Sequence, residues 1–376
     1  MLTPELITAA LATVQDPEIH KPITELGMVK SIEIADDGVV SVGIYLTVSG
    51  CPLRDKITRD VTEAVSALDG VTGVVVDLDV MSDEQRANLQ ATLRGGQPNR
   101  EIPFAQPGSL TRVYAVASGK GGVGKSSITV NLAAAMAANG LKVGVVDADI
   151  YGFSIPRMLG VEGKPTQVES MIMPPSAHGV KVISIGMFVA DGQPVVWRGP
   201  MLHRALQQFL ADVYWGDLDV LLLDLPPGTG DIAISVAQLI PTAEILVVTT
   251  PQLAASEVAE RAGSIALQTH QQVVGVVENM AGLACPHCSE HVDVFGSGGG
   301  AAVAEGLTRS IGATVPLLGQ VPIDVRLREG GDAGMPLVLS DPDSPAAKEL
   351  RAIADRLSSR ARGLAGRSLG LSPAGR

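Results

Sequence analysis

A glycine-rich segment near residue 120 has the residue types and spacing of a phosphate-binding loop. It reads Gly-Lys-Gly-Gly-Val-Gly-Lys-Ser over residues 119–126, which satisfies G-x-x-x-x-G-K-S, between a predicted strand and a predicted helix. Glycines let successive backbone N–H groups point inward, and the helix amino terminus adds partial positive charge. The predicted phosphate cage consists of Gly119, Lys120, Gly121, Gly122, Val123, Gly124, Lys125, Ser126 and Ser127.

Three side chains have the chemistry to handle a nucleoside triphosphate. We expect Lys125 to lie along the β- and γ-phosphates and the Ser126 hydroxyl to hold a magnesium ion. An apolar run at residues 220–223 ends in Asp224, a position from which a carboxylate binds the same ion through water. The pattern predicts ATP and Mg²⁺ as ligands, with Lys125 and Asp224 as catalytic residues.

Two further segments follow predicted strands and face the same crevice. Asp147 and Asp149 come directly after the run at residues 143–146, and carboxyl ends of parallel strands meet at one edge of a sheet. Residues 226–231 read Pro-Pro-Gly-Thr-Gly-Asp, and their glycines could let the backbone move when a γ-phosphate is present. A rigid turn is the alternative for this second segment.

The cysteines suggest a metal centre. Cys285 and Cys288 form a C-x-x-C pair close behind a predicted strand, and two thiolates at this spacing supply two of four ligands. His287 and His291 are near in sequence, so a zinc site is an alternative. A redox pair is disfavoured because no thioredoxin-like strand and helix place it. Three cysteines in the whole chain are too few for a disulfide scaffold.

Composition and patterning divide the chain into four parts. Its 376 residues are 46% hydrophobic with a net charge of −12, which indicates an ordered protein and argues against a role in coating DNA or anionic membranes. Residues 1–85 read as a small α+β domain, 86–109 as a glycine- and proline-containing linker, and 360–376 as a flexible tail. The amino terminus shows neither signal peptide nor spanning helix, so we expect a cytoplasmic protein.

Apolar runs alternate with helical segments throughout residues 110–359. Runs that are apolar on both faces and separated by helices predict a mainly parallel sheet covered on both sides. The predicted fold class is therefore α/β, a doubly wound P-loop NTPase domain preceded by the small α+β domain. The runs lie at residues 113–117, 143–146, 182–185, 220–223, 245–248, 273–277 and 317–321.

Lys120 makes the loop resemble the deviant Walker A loop shared by nitrogenase iron protein, the Min and Par ATPases and the Mrp carriers. In that family this lysine crosses a homodimer interface to the partner's nucleotide, so the resemblance implies a homodimer and a catalytic Lys120. It also implies that Asp149 orients the attacking water and that Asp147 reaches the magnesium ion indirectly. The alternatives are a solvated Lys120 and an Asp147 that only ends a strand.

The wider pattern resembles the Mrp family of iron-sulfur cluster carriers over residues 1–355. The resemblance implies that Asn279 reads the adenine edge and that Cys285 and Cys288 of two subunits hold one 4Fe-4S cluster between them. The chain departs from the family at Phe153, where Pro is expected. The matching strings are Asp147-Ala-Asp-Ile-Tyr-Gly, Asp224-x-Pro-Pro-Gly-Thr-Gly-Asp, Glu278-Asn-Met and Cys285-x-x-Cys.

The amino-terminal part agrees with this resemblance. Asp16-Pro17-Glu18-Ile19 and Gly50-Cys51-Pro52-Leu53 are similar to a small domain that is fused to bacterial members and occurs alone in cluster-assembly factors. Cys51 precedes a predicted helix, where a thiol should have a lowered pKa and could hold or relay a cluster. The alternative for Cys51 is a small core residue.

The resemblance implies an ATP-hydrolysing carrier that takes a cluster from an assembly scaffold and gives it to apo-proteins, with no nucleic acid or membrane partner. Two alternatives stay open: a Min/Par-type positioning ATPase and a zinc-stabilised dimeric switch ATPase. A Min-type protein would end in a basic amphipathic membrane helix. Residues 350–364 carry four arginines but only scattered apolar residues.

Overall fold

The computed structural model describes two compact units. Unit 1 comprises residues 1–100, 165–174 and 212–216, and unit 2 comprises 101–164, 175–211 and 217–376. Cys51, most of the predicted linker and the predicted tail lie outside the described residues. Those residues are 2–17, 19, 21–47, 53–82, 84–85, 88–89, 101–106, 108–149, 152–169, 171–188, 199–228, 231–252, 266–269, 271–285, 287–288 and 290–359.

Unit 1 contains helices α1 (Pro4–Leu11) and α2 (Arg54–Ser66) and strands β1 (Val29–Ile34), β2 (Val39–Leu46) and β3 (Gly73–Val80). The strands form a sheet in that order, with β1 antiparallel and β3 parallel to the central β2. The parallel pair needs a crossover, which α2 supplies. This mixture of helices and a small sheet is the α+β class predicted for the amino-terminal part of the chain.

The core of unit 1 also uses two segments from much later in the chain. Residues 165–174 form an antiparallel pair, β6 (Thr166–Val168) and β7 (Met171–Met173), and Tyr214 lies beside them through a backbone bond to Ile172. Their apolar side chains pack in one buried cluster with those of α1, α2 and the three-stranded sheet. The contributing residues are Val168, Met171, Met173 and Tyr214.

Unit 2 is built on eight strands in the described part of the chain. They form one sheet in the order β15, β12, β11, β4, β10, β5, β9, β8, and all neighbours are parallel except the edge pair of β8 and β9. Each predicted apolar run corresponds to one of them, so the mainly parallel α/β prediction is confirmed. They are β4 (Arg112–Ser118), β5 (Val143–Asp147), β8 (Ser176–Ala177), β9 (Val180–Ser184), β10 (Val220–Asp224), β11 (Glu244–Thr249), β12 (Val273–Asn279) and β15 (Leu317–Val321).

One helix of unit 2 is buried on nearly every side. This is α3 (Lys125–Ala138), which follows the phosphate loop and ends at Gly140, whose φ of 84° is the left-handed conformation expected of a helix stop. Small side chains at residues 133–135 let its neighbours approach. The other helices are α4 (Ile155–Met158), α5 (Gly199–Ala211), α6 (Asp231–Leu239), α7 (Gly299–Ile311), α8 (Val325–Ala333), α9 (Leu337–Ser340) and α10 (Pro345–Ser359).

The last described helix is tied into the core. α10 packs on α3 and β15 through the buried side chains of Leu350, Ile353 and Leu357. At its carboxyl end, Arg112 donates to the carbonyl oxygens of Leu357 and Ser358 at 2.7 and 2.9 Å, and the Tyr114 hydroxyl donates to that of Leu357 at 3.0 Å. Among the described helices, none has the length and apolar character needed to cross a bilayer.

Candidate functional site

The predicted phosphate loop connects the carboxyl end of β4 to the first turn of α3. Gly122 and Gly124 have φ values of +80° and +79°, which glycine adopts without a steric penalty. A Cβ on Gly124 would lie 2.2 Å from the amide nitrogen of Asn279. Gly124 is also the N-cap of α3 and no side chain caps the helix, so its first N–H groups can bind a phosphate.

Side chains of α3 converge on Asp224 at the end of β10. The Lys125 ammonium lies 2.7 Å from Asp224 Oδ2, and the Ser126 hydroxyl donates to the same oxygen at 2.6 Å. The Thr129 hydroxyl donates to Oδ1 at 2.8 Å. Lys125 is buried, and although it is ion-paired, its ammonium makes no hydrogen bond of acceptable geometry within the described residues. A buried cation with unused donors beside uncapped helix N–H groups fits the phosphates of a nucleotide.

Asp147 lies opposite Asp224 in the register of β5 and β10. Its Oδ2 accepts hydrogen bonds from two backbone N–H groups at the start of α4, at 3.1 and 3.3 Å, and from the Ser184 hydroxyl at 3.1 Å. Burial, and secondarily the negative charge of Asp224, raise the pKa of Asp147 to about 7. In this structure the carboxyl group therefore holds the backbone that follows β5.

Asp149 and Phe153 shape the segment between β5 and α4. Asp149 Oδ1 accepts a hydrogen bond from the Gly152 backbone N–H at 3.1 Å. The Phe153 ring covers Gly186, where a Cβ would lie 2.4 Å from a ring carbon. The ring is nevertheless 45% exposed. The residue that departs from the family pattern is thus a partly exposed aromatic side chain that packs on a glycine.

Lys120 and the segment after Asp224 lie at the rim of the phosphate loop. The Lys120 ammonium donates to Gln252 Oε1 at 2.8 Å. The Gly228 backbone donates to the carbonyl of Ser118 at 2.8 Å, so the predicted switch segment is bonded to the strand that enters the loop. Residues 229–230 of this segment lie outside the described residues.

A cavity of about 570 Å³ opens beside the phosphate loop. Gly124 and Ser127 form its phosphate-loop side, Asn279 forms another wall, and residues 322–328 and α4 complete it. The Asn279 amide donates to the carbonyl of Val123 at 2.8 Å, so this buried side chain both fixes the loop and lines the cavity. The position and size suit a nucleoside whose phosphates lie in the loop.

The two thiols lie at the tip of a short hairpin. Its strands are β13 (Leu283–Ala284) and β14 (His291–Val292), which are antiparallel. The Cys285 backbone donates to the carbonyl of Glu290 at 2.9 Å and closes the tip. Cys285 is half-buried and Cys288 is exposed, so a metal centre could be reached from outside the chain.

The hairpin favours thiolate over histidine ligands. Backbone N–H groups, first that of His287 and then that of Cys288, lower the pKa of the Cys285 thiol. The His291 ring instead lies 2.9 Å from Asp293 Oδ1. Within the described ranges no three Cys, His, Asp or Glu side chains are arranged to hold a metal ion, so this part of one chain supplies an incomplete site.

Sequence reasoning missed several residues of the site. Thr129 could have been found, because it follows Lys125 by four positions and so lies on the same face of α3. Ser184 ends β9 opposite Asp147, which is a weaker signal because it requires the strand order. Residues 322–328 carried no motif, although they follow the carboxyl end of β15 at the edge where ligands bind.

A sequence profile described as NUBPL iron-transfer P-loop NTPase matches residues 109–358. The chain belongs to this family. A second profile, described as iron-sulfur cluster assembly protein, matches residues 4–76. Both matches confirm the resemblance to Mrp-type carriers. The NUBPL family assignment also agrees with the phosphate loop, the carboxylates and the eight-stranded sheet of the described residues.

Several relatives share nearly the whole chain. An iron-sulfur cluster carrier protein of Mycobacterium tuberculosis strain H37Rv is 69% identical over 367 residues, covering 98% of this chain and 96% of the relative. One from Synechocystis is 41% identical over 364 residues, covering 95% and 98%. The solved structure of an ADP-bound nucleotide-binding protein from Archaeoglobus fulgidus is 38% identical with a TM-score of 0.51, covering 59% of this chain and 86% of that one.

Proposed function

We propose that this NUBPL family member is an ATP-dependent iron-sulfur cluster carrier that acts as a homodimer. The observation that carries the proposal is that β12 ends in Asn279, which binds the phosphate loop, and the chain then enters the thiol hairpin directly. A nucleotide site and a thiolate site thus share one strand end. The name of the curated relatives supports a cluster as the cargo.

On the nucleotide side, the buried charges supply what phosphoryl transfer requires. The Ser126 hydroxyl, which donates to Asp224, and the Asp224 carboxylate would hold Mg²⁺, and the ion would neutralise charge on the phosphates. Lys125 exchanges its ion pair with Asp224 for the β- and γ-phosphates. Asp149 orients the water that attacks, and Lys120 reaches the nucleotide of the partner subunit.

On the cargo side, two copies supply the ligands that one copy lacks. Cys285 and Cys288 from both subunits provide four thiolates, the set that a 4Fe-4S cluster takes. Because the hairpin tip is exposed, cysteines of an apo-protein can replace these thiolates one at a time. ATP binding and hydrolysis alter the spacing of the two tips and hence the affinity for the cluster.

Anaerobic reconstitution with iron and sulfide tests the cargo assignment. Absorption and Mössbauer spectra should show one 4Fe-4S cluster per dimer, and the double variant Cys285→Ala with Cys288→Ala should show none. Tight zinc uptake with no cluster would overturn the proposal in favour of a zinc-stabilised switch ATPase.

Cluster transfer to an apo-protein tests the coupling. Transfer should depend on ATP in the wild type and lose that dependence in Lys125→Ala and in Ser126→Ala, the second of which keeps the buried ion pair intact. Equal transfer with ATP, without ATP and in both variants would contradict the coupling.

A further inference from the structure

The chain that leaves the thiol hairpin returns to the nucleotide cavity. Phe295 lines the same cavity as Gly124, Ser127 and Asn279, and its side chain is 38% exposed. A partly exposed aromatic ring in the wall of a cavity large enough for a nucleoside offers a π-face to a planar ligand. We propose that Phe295 stacks on the base of the bound nucleotide and thereby ties the position of the thiol hairpin to nucleotide occupancy. This inference rests on the proposed function and deepens it.

The entry side of the hairpin is part of the cavity wall. Met280, which also lines the cavity, has a φ of +62°, a conformation that non-glycine residues adopt only where the surroundings hold it. The next residues are bonded to the opposite part of the wall: Ala281 donates to the carbonyl of Val321 at 2.9 Å, and Ile323 donates to that of Gly282 at 2.8 Å. The hairpin therefore starts from a fixed base.

The exit side places Phe295 in a tight turn. The Val294 backbone donates to the carbonyl of Val292 at 3.0 Å, and Gly296 donates to that of Asp293 at 3.1 Å. Val292 is itself paired with Leu283 in the hairpin. A displacement of the Phe295 ring is thus passed through two residues to the strand that carries the thiol loop.

The chain beyond Phe295 is anchored again at the start of α7. The Gly300 backbone, in the first turn of α7, donates to the buried Glu278 carboxylate, whose other oxygen accepts from Gln320 at 2.7 Å. A Cβ on Gly299 would lie 2.6 Å from the Pro251 carbonyl oxygen, so α7 begins in close contact with the neighbouring strand end. Because the start of α7 is held by these contacts, a displacement of the Phe295 ring should move the hairpin.

Three of the other lining side chains suit the second face of a base. Met158, Ile323 and Leu327 are apolar and lie in the same cavity. A base between them and Phe295 would be stacked on one face and packed on the other. Stacking of a base on an aromatic side chain contributes about 1–3 kcal/mol, which corresponds to roughly 5- to 150-fold in affinity.

Calorimetric titration with ADP tests the stacking contact. Phe295→Ala should weaken ADP binding by roughly 5- to 150-fold, whereas Phe295→Trp should bind close to the wild-type affinity. Val294→Ala is the matched control, because Val294 is 49% exposed in the same turn and does not line the cavity. Wild-type affinity in Phe295→Ala would overturn the inference and leave the proposed function standing. No ADP binding by the wild type would overturn both.

Site-resolved alkylation tests the link to the thiols. Iodoacetamide labelling of Cys285 and Cys288, read by peptide mass spectrometry, should change several-fold in rate when saturating ADP is added to the wild type or to Val294→Ala. In Phe295→Ala, at ADP concentrations that fill its weakened site, the rates should not change. The same response in Phe295→Ala as in the wild type would refute the link.

Discussion

At the scale of single residues, the site places two buried carboxylates near one buried lysine. Asp224 is compensated by the Lys125 ammonium and by two hydroxyl donors. Asp147 receives hydrogen bonds but forms no ion pair within the part of the chain that the structure describes, and its pKa rises to about 7 because of burial and of Asp224. The Asp147 carboxyl group is therefore partly protonated near neutral pH.

This arrangement predicts a pH dependence of stability for the nucleotide-free protein. The folded-state pKa of Asp147 lies above its ordinary value of 3.8. The protonated Asp147 therefore adds to the unfolding free energy in full below about pH 4, and this stabilisation is lost as pH rises through 7. Between about pH 5 and about pH 7.5, the wild type should lose about 2–3 kcal/mol of unfolding free energy relative to Asp147→Asn. Urea unfolding at both pH values measures this. Parallel changes in both proteins would show that Asp147 does not titrate in this range.

A second prediction separates backbone strain from a steric clash in the phosphate loop. Gly122 and Gly124 have nearly equal positive φ, but a Cβ on Gly122 meets nothing within 4 Å. Gly122→Ala should therefore cost only the left-handed penalty of about 1–2 kcal/mol. Gly124→Ala should cost more, because its Cβ would displace Asn279. Urea unfolding measures the free energy of unfolding of both variants. Equal decreases would mean that the Asn279 side chain can move aside without loss of stability.

How far single residues could be predicted depended on whether they belonged to a contiguous motif. Lys125, Ser126 and Asp224 meet at one point, as expected from their positions at strand and helix ends. Ser184 escaped notice because its partner lies 37 residues away in the sequence. The roles of Asp149 and Lys120 in catalysis stay predictions.

At the scale of elements, α10 ends against strand β4. The last turn of a helix leaves carbonyl groups without intrahelical partners. Here the Arg112 side chain donates to the carbonyl groups of Leu357 and Ser358, and the Tyr114 hydroxyl donates to that of Leu357 as well. The apolar face of α10 is buried in the core, which leaves the described part of this segment unsuited to lie on a membrane in the manner of a Min-type helix.

This contact predicts the effect of removing the arginine. Arg112→Ala should lower the unfolding free energy by about 2 kcal/mol, because two charge-assisted hydrogen bonds to helix carbonyls are lost. Hydrogen exchange should also speed up in the last turn of α10. Arg351→Ala removes an arginine from α10 outside these contacts and should leave both measurements near wild type. Equal effects of the two variants would mean that the hydrogen bonds from Arg112 to the end of α10 do not stabilise the protein.

Elements were easiest to predict where apolar runs were continuous. Strands of unit 2 that are buried on both faces have unbroken apolar runs. Strand β10, for example, consists of four apolar residues followed by Asp224, and all five are buried. The short pair β6 and β7 was not predicted, because three-residue strands carry too few side chains to establish a period.

At the scale of the whole molecule, the proposed homodimer depends on a half-buried lysine. Lys120 is bonded to Gln252 of its own chain, and must leave it to reach a partner's nucleotide. With Mg²⁺ and a non-hydrolysable ATP analogue, sedimentation velocity on cluster-free protein should show a wild-type dimer and a largely monomeric Lys120→Ala. Gln252→Ala is the control and should still dimerise, because it only releases the lysine. Dimerisation of Lys120→Ala at the wild-type level would contradict the lysine's role.

The composition of unit 1 has a consequence for any attempt to isolate it. The profile described as iron-sulfur cluster assembly protein ends at residue 76, yet the core of unit 1 also contains Val168, Met171, Met173 and Tyr214. A single cut between residues 86 and 109 would therefore separate these four side chains from the rest of the core they complete.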